Sequence, residues 1–155
     1  MKSPNSLFKS PLQTILFTGL LAGTLDILSA IYFLGKGNAT AILKFVASGA
    51  FGKTALEGSN EMAFYGLFFH YFIAFSFTIL FFYAYPRLAV LRKNKIIVGL
   101  LYGVFVWAVM NLIVLRFTQI LPRPFTLLGV TKNMGILMYA IGLPIAWFTN
   151  RFYKH

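Results

Sequence analysis

The chain has 155 residues, of which 59% are hydrophobic and 11% charged, and its mean hydropathy of +0.77 lies outside the range of an ordinary water-soluble domain. It carries 14 Lys and Arg against 3 Asp and Glu, a net charge of +11, and no cysteine. The absent thiols exclude disulfide frameworks, thiolate metal sites and cysteine nucleophiles, and the length suits a single membrane domain over residues 1–155 with four spans and short connections.

The first predicted element is a span from Leu12 to Leu34, long enough at about 1.5 Å per residue to cross the hydrocarbon. Lys2 and Lys9 precede it as a basic leader, but the apolar run exceeds the roughly 7–15 residues of a signal-peptide core, so it reads as a retained span. The breaker cluster Gly35-Lys36-Gly37-Asn38 follows. The apolar stretch 39–52 is too short to cross, and Thr40, Lys44 and Ser48 recur every four residues along it. That spacing predicts an interfacial or re-entrant helix whose narrow polar stripe lies along the membrane surface.

The second span, 61–85, holds eight phenylalanines from Phe64 to Phe82, read as lipid-facing bulk, and ends at Pro86. A basic connection with Arg87, Arg92, Lys93 and Lys95 leads to the third span, 96–121, closed by Pro122-Arg123-Pro124. The fourth span, 133–150, is short and contains Pro144, with an alternative start near Phe125. The tail from Arg151 to His155 is expected to return to water. The fold expected is all-α: a polytopic membrane protein, a four-transmembrane-helix bundle plus the short helix between spans one and two.

The basic residues sit at the ends of apolar segments, where their stems snorkel and their charges meet anionic headgroups. That accounts for the net charge without nucleic acid, which requires a basic cluster on a soluble face. Counting Lys and Arg places eight on the side of the leader, the middle connection and the tail, against six on the other. The excess orients both termini toward the cytoplasm.

An ionisable group within a span costs about 2.5–3.5 kcal/mol on insertion scales, so each needs a partner or a purpose. Asp26, His70 and Asn111 fall at a common depth, roughly 12–15 Å from the predicted non-cytoplasmic surface. Arg116 lies somewhat nearer that surface, and Tyr139 of the fourth span falls in the same layer. Small residues mark the packing faces: Gly19 and Gly23 beside Asp26, Gly66 beside His70, and Gly99 and Gly103 leading to Asn111. Two readings of this polar layer stand. In one, Asp26 pairs with Arg116 or bonds Asn111 and Tyr139 as interhelical glue; in the other, Asp26 and His70 handle a proton or an ion. Glu57 and Glu61 stand before the second span as a candidate cation entrance. Trp107 and Trp147 read as bulk or interface anchors, and Asn38-Ala39-Thr40 fits a glycosylation sequon.

No phosphate cradle, HExxH or GxSxG pattern occurs, and two histidines cannot form an all-histidine metal site. His70 alone would give haem a single axial ligand. No catalytic residue, metal or cofactor is therefore expected.

His70 followed by an aromatic helix, Pro86, a basic connection and a glycine-rich helix with Met110-Asn111-Leu112-Ile113 resembles the YagU-like inner-membrane proteins, over about the second half of the chain. The resemblance implies a bacterial inner membrane and supplies no catalytic residue. The function expected is an oligomeric channel or transporter for protons, ions or a small solute. The rival is a non-catalytic accessory or scaffold subunit of a larger membrane complex.

Overall fold

The computed structural model describes residue 8 and residues 10–120 and 126–154. These form four long apolar helical spans and one shorter apolar helix, and no strand occurs among them. Lys2, Lys9, the 122–124 breaker, Phe125 itself and His155 lie outside the described residues.

Helix α1, Pro11–Phe33, starts where Ser10 accepts a hydrogen bond from the Gln13 N–H and Pro11 occupies the first helical position. Gly37, at φ 87°, turns the chain into α2, Ala39–Phe51, whose first turn is capped by the Asn38 side chain on the Ala41 N–H. A single-turn α3, Lys53–Glu57, leads into the second span, α4, Glu61–Ala84. After a 3₁₀ turn at Ala89–Arg92, Asn94 caps α5, Lys95–Ala108. The third span then continues through a π-helical turn, Val109–Ile113, and a 3₁₀ turn to Phe117.

The fourth span runs from Leu127 to Lys154, longer at both ends than the expected 133–150 and beginning close to the alternative start near Phe125. It comprises α6, Leu127–Ile136, a π-helical stretch, Leu137–Gly142, and α7, Leu143–Lys154. Pro144 lacks the N–H that an α-helix needs, and the widened turn just before it lets the helix continue rather than break. The tail also stays helical. Phe152 and Tyr153 pack their rings on Phe82, and Tyr153 stacks on Tyr85, while Arg151, Tyr153 and Lys154 stay exposed.

α1 packs on α4 and on the fourth span, and the fourth span packs on α5. Two faces can be distinguished: a near face with the start of α1, the 85–95 connection and the end of α7, and a far face with α3 and the start of α4. The apolar core fills the near half, where Phe77, Phe81 and Tyr85 meet Val98, Tyr102 and Val106 and then Ile141, Ile145 and Ala146. The second span's aromatics are therefore divided. Phe64, Phe68 and Phe72 are exposed, as lipid-facing bulk would be, but Phe77, Phe81 and Phe82 are core.

All five predicted packing glycines sit at close approaches within the monomer. Gly19 and Gly23 face the Phe75 and Tyr71 rings of α4, Gly66 faces the backbone of Leu43, Gly99 faces Gly142 and Leu143, and Gly103 faces Met138. Gly66, Gly99 and Gly103 let backbones meet inside the bundle, and Gly19 and Gly23 leave room for the rings of α4. The α2 stripe also differs from expectation. Ser48 is buried, and Lys44 Nζ donates to the Gly58 carbonyl at 2.7 Å, so these two turn toward the protein while Thr40 stays exposed. A carbonyl at the end of α3 has no helical partner, and the lysine supplies one.

Candidate functional site

The tightest polar assembly within the spans lies between α1 and α4, about 10 Å from the end of α1 and about 13 Å from the start of α4. Gly23 makes it possible. A Cβ there would stand 2.9 Å from two Tyr71 ring carbons and 3.2 Å from the Ala74 Cβ, so a larger residue would have to push the Tyr71 ring aside. The His70 ring reaches the Gly23 carbonyl through Nε2 at 2.7 Å, and Nδ1 stands 3.9 Å from Asp26 Oδ2. On the other flank of Gly23, the Thr24 and Tyr71 hydroxyls meet at 2.7 Å.

These contacts determine much of the proton arrangement. A carbonyl can only accept, so His70 Nε2 carries a hydrogen and donates it to Gly23. What remains is a single exchangeable position between His70 Nδ1 and Asp26. When the pair holds one proton there, either the carboxyl carries it opposite a bare nitrogen or the imidazolium carries it opposite a carboxylate. At 3.9 Å the two are too far apart for a direct hydrogen bond, so transfer needs a side-chain shift of about 1 Å. The Asp26 side chain is 17% and the His70 side chain 10% exposed, which makes an uncompensated charge on either one costly.

Of the predicted polar layer, Asp26 and His70 come together; Asn111, Arg116 and Tyr139 make no hydrogen bond or ion pair with them. Asn111 donates to the Trp107 carbonyl of its own span at 2.9 Å, Arg116 is exposed in the 3₁₀ turn, and Tyr139 is 68% exposed. The cause is local. Each π-helical turn adds a residue to the helical repeat and rotates everything beyond it by about 100°, so steps of four no longer track one face. Glu57 and Glu61 are both exposed on the far face, Glu61 in the first turn of α4 where the helix dipole favours a carboxylate. Among the described residues, Asp26–His70 is the only carboxylate–base approach at ion-pair distance, and no cluster of metal-binding side chains occurs.

Sequence reasoning missed Thr24 and Tyr71. Thr24 follows Gly23 directly and Tyr71 is the ring against that glycine, so their pairing depends on where the two helices cross.

Four apolar spans with an ionisable pair between two of them define a small integral membrane protein built as a helical bundle. Comparison with protein-family models, curated proteins and solved structures finds no match.

Proposed function

We propose that this chain is a non-enzymatic transport protein of the bacterial inner membrane, working as an oligomer, in which the Asp26–His70 pair relays a proton. The observation that carries the reading is the two-sided engagement of one imidazole: Nε2 is tied to a backbone carbonyl while Nδ1 faces a carboxylate inside a span. The fixed bond orients the ring, and the looser contact leaves one proton free to change owner. The packing glycines are already occupied within the monomer, so an oligomer would form through other faces. The basic excess on the near face supports cytoplasmic termini, and the kinship with YagU-like proteins belongs to the same proposal.

The test is proton flux into proteoliposomes loaded with a pH-sensitive dye, under an imposed gradient. Wild type is expected to conduct above empty vesicles, and Asp26→Asn and His70→Gln to abolish conduction while keeping helical content. Flux equal to empty vesicles for protons and common monovalent ions refutes the reading and leaves the accessory-subunit role in its place.

A further inference from the structure

The chain's three carboxylates, Asp26, Glu57 and Glu61, lie in α1, in α3 and at the start of α4, away from the near face. On that face, Lys93, Lys95, Arg151 and Lys154 line one cleft of about 560 Å³ with Asn94, Asn150, Ile96 and Trp147. Among the described residues no acidic side chain contributes to its walls, so none of them neutralises these cations.

The cleft is also ordered. Lys95 Nζ sits 3.4 Å above the centre of the Trp147 ring, a cation–π contact that joins the third span to the fourth. The buried Asn150 donates to the Tyr85 hydroxyl at 2.6 Å, which ties the base of the cleft to the end of α4. Asn94 caps α5, a helix of 14 residues whose N-terminal end opens at the cleft. Ile96 and Trp147, 49% and 42% exposed, add an apolar edge beside the cations.

We propose that this cleft binds the phosphate of an anionic phospholipid, with Lys93, Lys95, Arg151 and Lys154 around the headgroup and the start of an acyl chain against Ile96 and Trp147. The pairing of unmatched cations with an apolar edge fits an amphiphile better than a soluble anion, which would use the cations alone. Such a lipid would join the 85–95 connection to the end of α7, two segments distant in sequence.

The test uses the full chain in mild detergent, with retained lipid read by native mass spectrometry and thermal unfolding followed as lipid is added. Phosphatidylglycerol is expected to stay bound and raise the melting temperature, and phosphatidylcholine to do neither. Each cation removed should weaken phosphatidylglycerol binding about fivefold, so Lys95→Gln/Arg151→Gln loses about 25-fold. Arg87→Gln/Lys36→Gln removes the same charge outside the cleft and should leave binding within about twofold. Equal retention of the two lipids, or equal losses in the two double variants, overturns the proposal. Stabilisation by inorganic phosphate matching that by phosphatidylglycerol also overturns it, in favour of a soluble-anion site.

Discussion

His70 touches α1 twice, at 2.7 Å through Nε2 to the Gly23 carbonyl and at 3.9 Å through Nδ1 to Asp26 Oδ2. One contact is a full hydrogen bond and the other is not. A double-mutant cycle on Asp26→Asn and His70→Gln in a reversible micelle unfolding assay should therefore give a coupling of about 1 kcal/mol, within the range of interhelical polar pairs. A coupling indistinguishable from zero would mean that the two side chains do not sense each other.

Gly103 and Gly19 both sit at helix contacts, but what they face differs. A methyl at Gly103 meets the backbone of Met138 and Leu137, which cannot yield without moving a helix, whereas at Gly19 it meets the Phe75 ring, which can rotate. Gly103→Ala is expected to destabilise by about 1–3 kcal/mol and Gly19→Ala by clearly less. Thermal unfolding of the two variants checks the order.

Tyr102 donates its hydroxyl to the Phe77 carbonyl at 2.7 Å from a buried position, and Tyr85 accepts from Asn150. Tyr102→Phe removes a donor and leaves a carbonyl; Tyr85→Phe strands the Asn150 amide, which is 5% exposed. Both should cost about 1–2 kcal/mol, and Tyr85→Phe should be largely rescued by Asn150→Leu because the stranded donor is then gone. Unfolding curves of the two single variants and the double variant decide the point.

The chain lacks cysteine, so introduced thiols report position cleanly. With four spans, Lys36→Cys and Arg87→Cys lie on opposite faces and should react with an impermeant maleimide from opposite sides of sealed vesicles. In α2, Thr40→Cys should label readily and Ala47→Cys, 0% exposed, should resist. Labelling of both α2 positions at one rate would show that the helix is not packed as described.

Span number, the short helix after the first span and the packing glycines were legible in the sequence, because they depend on local properties. Apolar length sets whether a helix can cross, breakers such as Gly37 and Asn38 set where one ends, and glycine spacing marks close approach. The partnership of Asp26 with His70 was also within reach, since two residues at one depth on packing faces have few alternatives. The rest of the polar layer was not. Asn111 and Tyr139 sit within π-helical turns, and Arg116 follows one, so their directions depend on helix phase that regular 3.6-residue counting does not supply. The inward turn of Lys44, the division of the α4 aromatics between core and exterior, and the gathering of Lys93, Lys95, Arg151 and Lys154 around one cleft likewise required the tertiary structure. The sequence by itself determined which segments prefer lipid, because transfer free energy accumulates residue by residue; only the packed bundle decided which side chains meet, because contact depends on the relative rotation and depth of helices far apart in the chain.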